Sequence, residues 1–183
     1  MKYVLLLRGI NVGGKNKIKM ADFKYHLTEL GLTHVVSYIN SGNFVFESKQ
    51  KIEDLHANIA QMIKEYYDFE IIFAIINEKD YLEAAQELPM WWNDNSLARR
   101  DVLFYTKQVD INAMVESIQE MKLHKEIIHF SKIAVFWGKT VEEEYLRTAY
   151  HKNLASKKYY KQITIRNGNT FEQLLKILMD QNK

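Results

Sequence analysis

The sequence predicts an α+β protein made of two tandem ferredoxin-like units packed into one compact body. Apolar residues occur at strand and helix spacing in the order β-α-β-β-α-β, and the second part of the chain repeats that order. The composition agrees with a folded globular protein, because 47% of the residues are apolar and 26% are charged.

The first ferredoxin-like unit is expected to span residues 1–77. Short apolar runs predict its strands, and a turn at Asn40–Asn43 joins the second strand to the third. Helical spacing of apolar residues predicts its two helices, and Gly31 lies where a C-terminal cap of the first helix belongs. The predicted strands are Tyr3–Arg8, Val35–Asn40, Phe44–Glu47 and Phe69–Ile76, and the helices carry Met20, Phe23, Leu27 and Leu30, then Ile52, Leu55, Ile59, Met62, Ile63 and Tyr66.

A connecting segment, residues 78–99, is expected to hold a helix over Glu78–Glu87 and a loop with Trp91 and Trp92. These tryptophans either anchor the junction between the halves or line a pocket, and anchoring is the favoured interpretation. The second unit, with a C-terminal helix, covers residues 100–183. Its predicted strands are Val102–Tyr105, Ile127–Phe130, Ile133–Trp137 and Ile163–Arg166, and its helices carry Ile111–Met121, a capping box at Thr140–Glu143, and Phe171–Leu178.

Composition also excludes several classes of function. The chain has no Cys, so it has no disulfide, no thiolate metal ligand and no thiol nucleophile. Its six His residues lack metal-binding spacing, and we expect no metal and no cofactor. No apolar run reaches the length of a membrane span, so we expect a cytoplasmic protein without a membrane partner.

The predicted topology brings two distant segments together. A right-handed β-α-β crossover makes the first and second strands parallel, and the hairpin makes the third strand antiparallel to both. The end of the first strand then lies at the same sheet edge as the second-to-third turn. The Gly-rich loop, Arg8–Lys17, is therefore expected to lie beside the turn at Asn40–Asn43.

The chemistry of this edge suits an anionic ligand. Its glycines allow positive φ and close approach to the backbone, lysines add charge, and the next helix presents its N-terminus. The candidate ligand-binding residues are Arg8, Asn11, Gly13, Gly14, Lys15, Ser41 and Asn43, which Arg166 and Asn167 join if the second half folds its edge towards the first.

A purely structural interpretation of the loop stands beside this one. Arg8–Lys17 lacks the spacing of a P-loop and of a dinucleotide-binding motif, and glycines after a strand commonly do no more than turn the chain. Ser41-Gly42 is a plausible hairpin turn with no other role. Thr170, with Gln173 three residues later, is interpreted as a helix cap.

Three sequence segments resemble the bacterial family known as domain of unknown function 1697. They are Arg8-Gly9-Ile10-Asn11-Val12-Gly13-Gly14, then Tyr38-Ile39-Asn40-Ser41-Gly42-Asn43-Phe44-Val45-Phe46, and Thr164-Ile165-Arg166-Asn167-Gly168-Asn169-Thr170. The resemblance covers nearly the whole chain and implies a cytosolic two-part α+β fold. It implies no established reaction, cofactor or catalytic residue. Many relatives carry Trp at the position of Gly168.

Nucleic-acid binding needs local charge clusters, because the net charge of +2 is too small to imply it. The tract Lys157–Lys161 mixes basic and aromatic residues, as single-strand binders do, yet solvated lysines near the acidic Glu142–Glu144 run are the favoured interpretation. Phe44 and Phe46 share a strand face, but Val45 between them is also apolar. We expect a second layer to cover the sheet, supplied by the other half or by a homodimer.

The sequence therefore favours a binding protein for a phosphate-bearing ligand, a nucleotide or nucleic acid, over an enzyme. This hypothesis expects binding that weakens with salt and is lost in Arg8→Ala. One alternative is an enzyme acting on a small phosphorylated or carboxylated substrate. The other is a protein-interaction module whose motifs are purely structural.

Overall fold

The computed structural model describes residues 1–139 and 148–180 and contains two four-stranded antiparallel sheets. In the first sheet, β1 (Lys2–Leu7) lies in the interior between β3 (Asn43–Glu47) and β4 (Phe73–Asn77), and β2 (Thr33–Tyr38) forms the other edge. Its strand order is β2-β3-β1-β4. The register pairs Leu5 with Phe44 on one side and with Ile75 on the other.

The second sheet repeats this arrangement with different residues. Its strands are β5 (Arg99–Tyr105), β6 (Glu126–Phe130), β7 (Ala134–Lys139) and β8 (Ile163–Asn167), in the order β6-β7-β5-β8. The β5 strand pairs with β7 and β8, as β1 pairs with β3 and β4. The two sheets thus share a strand order.

Six α-helices are present in the described part of the chain: α1 (Met20–Glu29), α2 (Ile52–Tyr66), α3 (Glu78–Gln86), α4 (Ile111–Gln119), α5 (Ala149–Lys152) and α6 (Gly168–Met179). Side chains cap most of them: Asn77 caps α3, Asp110 caps α4, Thr148 caps α5 and Asn167 caps α6. By contrast, Lys19 at the start of α1 and Lys51 at the start of α2 make no side-chain cap.

Three apolar cores hold the layers together. The outer face of the first sheet packs on α1 and α2 through residues such as Phe23, Phe44 and Ile59. A central core joins the inner faces of both sheets to α3 and α6, with Val4, Leu6, Val45, Ala74, Ile76, Tyr81, Trp92, Val102, Phe104, Phe136, Phe171, Leu174 and Leu178. The third core covers the far face of the second sheet. Both faces of each sheet are therefore buried, as expected, and the other half supplies the covering layer.

Trp92 belongs to this central core. Only 1% of its surface is exposed, its ring meets Phe136 and Phe171 edge-on, and its indole N–H donates to Glu172. The favoured interpretation of this residue as an anchor is confirmed.

Some predicted boundaries were wrong. The strand expected over Phe69–Ile76 begins only at Phe73, because β1 ends at Leu7, whose register partner is Phe73. Phe69 and Ile71 instead pack against the outer core as the chain returns from α2.

The cap of the last helix was also assigned to the wrong residue. Asn167, not Thr170, caps α6, since the Asn167 side chain accepts the Thr170 N–H at 2.8 Å. The capping box expected at Thr140–Glu143 lies outside the described residues. Among the residues described, no helix has both the length and the apolar character that crossing a bilayer requires.

Candidate functional site

The Gly-rich loop and the β2–β3 turn are neighbours, as the topology predicted. The Leu7 N–H donates to the Gly42 carbonyl at 2.8 Å, and the Asn11 amide donates to the Asn40 carbonyl at 2.9 Å. Gly42 approaches β1 so closely that a Cβ there would lie 2.7 Å from side-chain atoms of Leu7 and Ile10. The tight contact between these segments explains why this position needs Gly.

Within the loop, Asn11 fixes the backbone and Gly13 and Gly14 turn it. Asn11 adopts a φ of 54°, and its side chain both donates to the Ile18 carbonyl and accepts the Ile18 N–H. Gly13 and Gly14, at φ of 60° and 78°, close a small hairpin in which Val12 pairs with Lys15. The glycines and lysines of this hairpin are exposed.

A groove of about 890 Å³ opens between this loop and the start of α1. Its volume falls in the usual range for small-molecule sites. The N–H groups of Met20, Ala21 and Asp22 find no acceptor among the described residues, and Lys19 gives no side-chain cap. The groove is lined by Asn11, Gly14, Lys17, Ile18, Lys19, Met20, Ala21, Asp22, Asn40 and Tyr67.

The charge of the groove is predominantly positive. Lys17 and Lys19 are exposed, and no carboxylate of the described residues forms an ion pair with either. The uncapped helix end adds partial positive charge. Asp22 supplies the opposing charge, so an anion would bind towards the lysines.

Tyr67, which also lines the groove, carries an unusual hydroxyl. Its ring packs against Phe23 and Phe69, and its hydroxyl oxygen is buried without a hydrogen-bond partner among the described residues. Burial, with a smaller contribution from Asp22, raises the pKa of this hydroxyl to about 12. At neutral pH it is therefore a protonated donor.

Arg166 lies elsewhere, inside the junction between the halves. Only 8% of its surface is exposed, and burial lowers the pKa of its guanidinium to about 10, so it is still a cation at neutral pH. All five of its N–H groups are accounted for by protein acceptors. These acceptors form the Arg166 network: Asn43 Oδ1, Thr164 Oγ1 and the carbonyls of Ile165, Leu7 and Ser41.

Ser41 and Asn43 are used by the same network. Asn43 is fully buried, and its amide donates to the Tyr38 carbonyl and to Ser41 Oγ. Asn167 is exposed and caps α6. Ser41 and Asn43 thus contact Arg166 of the other half, whereas the Asn167 cap lies within the second half.

Arg8 also points to the junction. It donates to the Ile163 carbonyl, and its guanidinium lies over the Tyr160 ring, 5.2 Å from the centroid. Burial lowers its pKa. No other hydrogen bond from its guanidinium to a described residue is present.

The structure therefore divides the predicted site residues into two groups. Asn11 and Gly14 line the groove, with Gly13 and Lys15 in the adjoining hairpin, whereas Arg8, Ser41, Asn43 and Arg166 are engaged at the junction. The groove also includes residues that the sequence did not predict for the site, among them Asp22, Asn40 and Tyr67. No local signal marks Tyr67, since it enters the groove from the far end of α2.

A family comparison matches residues 1–136 to the protein family of unknown function DUF1697. The chain belongs to this family. A search of curated protein sequences finds no match.

This DUF1697 protein is also similar to a solved structure, that of the conserved bacterial protein SP0830 from Streptococcus pneumoniae. The two are 42% identical, the TM-score is 0.92, and the match covers 97% of this chain and 98% of the other. The resemblance noted in the sequence motifs is thereby confirmed. In the described part of the chain, no three His, Asp or Glu side chains are grouped to hold a metal ion.

Proposed function

We propose that this DUF1697 protein binds a phosphate-bearing anion, a nucleotide or a nucleic-acid phosphate, in the groove. The observation that carries the proposal is the uncapped N-terminus of α1, which faces the groove beside Lys17 and Lys19. Free helix N–H groups and lysines together are a common way to hold phosphate. The Tyr67 hydroxyl supports the proposal, because a buried donor without an acceptor among the described residues suits a ligand oxygen.

The proposal changes the expected ligand contacts. Arg166 has no N–H left for a ligand, and Ser41 and Asn43 are engaged with it. The proposed contacts are instead Gly14, Lys17, Lys19, the first N–H groups of α1, and Tyr67.

Removing both groove lysines tests the proposal. In Lys17→Gln/Lys19→Gln we expect about tenfold weaker binding of pyrophosphate and of nucleoside phosphates, since two charge-assisted contacts are lost. Isothermal titration calorimetry measures this loss at low and high salt, and the wild-type affinity should fall as salt rises.

Lys24→Gln is the control, because Lys24 is an exposed lysine on α1 that does not line the groove. An equal loss in the control, or no wild-type binding at millimolar pyrophosphate, would contradict the proposal.

A second candidate function is an enzyme acting on a small phosphorylated substrate. Asp22 and Tyr67 favour it, since a carboxylate and a protonated hydroxyl line the same groove. Release of inorganic phosphate from a panel of phosphorylated metabolites, abolished in Asp22→Asn, would support this candidate. If the protein binds pyrophosphate but turns over no compound in that panel, only the binding function is supported.

We also propose that each half is a ferredoxin-like unit. The shared strand order, β2-β3-β1-β4 and β6-β7-β5-β8, supports this assignment, as does the β-α-β-β-α-β order of the first half. An experimental structure with a different strand order in either sheet would refute it. The absence of Cys is consistent with a cytoplasmic location, which cell fractionation would test.

A further inference from the structure

Two stretches of the chain contain no acidic residue. Residues 1–21 carry five Lys and Arg residues, residues 148–171 carry another five, and all 23 Asp and Glu residues lie elsewhere. The net charge of +2 therefore conceals a strong asymmetry, in which two basic segments offset a net acidic remainder.

The fold brings these two segments together at Arg8. The Arg8 guanidinium lies over the Tyr160 ring at 5.2 Å and donates to the Ile163 carbonyl. On the other side, the Asn16 amide donates at 3.0 Å to the carbonyl of Gly9, the residue that follows Arg8. These contacts form a path that runs from Asn16 through Gly9 and Arg8 to Tyr160. It connects the lysines next to Asn16 in the Gly-rich loop with the lysines next to Tyr160.

The lysines on this path are available to a partner. We call them, with Arg8 and Tyr160, the basic seam. Each is exposed, and none forms an ion pair with a described carboxylate: Lys15, Lys17, Lys19, Lys157, Lys158 and Lys161. In the sequence, the acidic Glu142–Glu144 run favoured the interpretation of Lys157–Lys161 as solvated lysines. That run lies outside the described residues, and the basic segment of residues 1–21 lies beside Lys157–Lys161.

We infer that the basic seam binds the phosphate backbone of a single-stranded nucleic acid that crosses both halves of the protein. The inference rests on the proposed function, because the groove would hold one phosphate of the strand. Several exposed lysines supplied by both halves match a repeating phosphate backbone better than a mononucleotide. Tyr159 and Tyr160 are half-buried among the lysines and leave part of each ring for contact with a base.

Two other modes of recognition fit the structure less well. Base stacking on the open face of a sheet is excluded, since both faces of both sheets are covered. An anionic membrane surface calls for several large apolar side chains beside the basic ones. Residues 148–171 expose none, and Val12 is the one large apolar side chain exposed in the Gly-rich loop.

A charge-matched pair of variants tests the inference. Lys157→Gln/Lys158→Gln/Lys161→Gln removes three lysines of the seam that lie outside the groove, and Lys24→Gln/Lys49→Gln/Lys64→Gln removes three exposed lysines from other elements. Fluorescence anisotropy with a labelled single-stranded oligonucleotide should show about tenfold or greater weakening in the first variant. The slope of log affinity against log salt should fall in magnitude by about 2, because each phosphate contact contributes about 0.7.

The control variant should change affinity less than about threefold, as expected for a long-range charge effect alone. Thermal unfolding of both variants verifies that the fold is kept. Equal weakening in the two variants, or stronger binding to vesicles of anionic phospholipid than to the oligonucleotide, would overturn the inference.

Pyrophosphate binding separates this inference from the proposed function. The Lys157→Gln/Lys158→Gln/Lys161→Gln variant should bind pyrophosphate as the wild type does, since none of these lysines lines the groove. If the wild type binds pyrophosphate but not the oligonucleotide, the seam inference fails and the groove proposal stands. If it binds neither, both fail.

Discussion

The Arg166 network and the groove both include residues of the β2–β3 turn, Ser41 and Asn43 in the network and Asn40 in the groove, yet they use similar residues in opposite ways. In the network, Asn43 and Arg166 are buried, and every guanidinium N–H meets a protein acceptor. In the groove, helix N–H groups, lysines and the Tyr67 hydroxyl have no such acceptors among the described residues. Polar motif residues therefore indicate a ligand site only where their hydrogen-bonding groups are left unused.

The largest effect is expected from removing the centre of the network. Arg166→Met would leave Asn43 Oδ1 and the Ser41 carbonyl without the Arg166 donor, while the Leu7 carbonyl would keep only its longer bond from Thr164 Oγ1. We expect a loss of about 3–5 kcal/mol in the free energy of unfolding. Urea unfolding measures this loss. Arg166→Lys, which retains the charge and three donors, should lose less. A loss under about 1 kcal/mol in Arg166→Met would show that the network adds little to stability.

A pair of glycine substitutions compares the two regions directly. Both Gly42 and Gly14 have positive φ, but a Cβ at Gly42 would clash with Leu7 and Ile10, whereas a Cβ at Gly14 meets open space. We expect Gly42→Ala to cost about 2–4 kcal/mol and Gly14→Ala about 1 kcal/mol, because only the first adds overpacking to backbone strain. Equal costs in urea unfolding would argue that backbone strain dominates both.

Arg8→Gln should have only a small effect on stability. It loses one hydrogen bond to Ile163 and the contact with Tyr160, for which we expect about 1–2 kcal/mol. Pyrophosphate affinity should change less than about twofold, since Arg8 does not line the groove. Loss of binding with unchanged stability would instead return Arg8 to the ligand contacts, as the sequence hypothesis held.

Local signals in the sequence were sufficient for much of the fold. Alternating apolar runs and helical spacing located the strands and the helices of the first half, and the crossover rule placed Asn40–Asn43 beside the Gly-rich loop. The predicted start of β4 was wrong because Phe69 and Ile71 pack against the outer core and do not belong to the strand.

The contacts that each site residue makes were harder to predict. The Arg166 contacts to Leu7 and Asn43 span 159 and 123 residues of sequence, and no pattern within either motif shows that the two would pair. Tyr67 reaches the groove through the packing of α2 beside α1, which spacing alone does not reveal. The packing of one half against the other determines which polar groups remain free to bind a ligand.

The position of α6 in the central core has a consequence for folding during synthesis. Val4, Leu6 and Ala74 emerge from the ribosome well before Phe171, Leu174 and Leu178, which cover the same core. Until then the first half exposes an apolar sheet face to other nascent chains. Docking of α6 on this face is thus the step that ends its exposure.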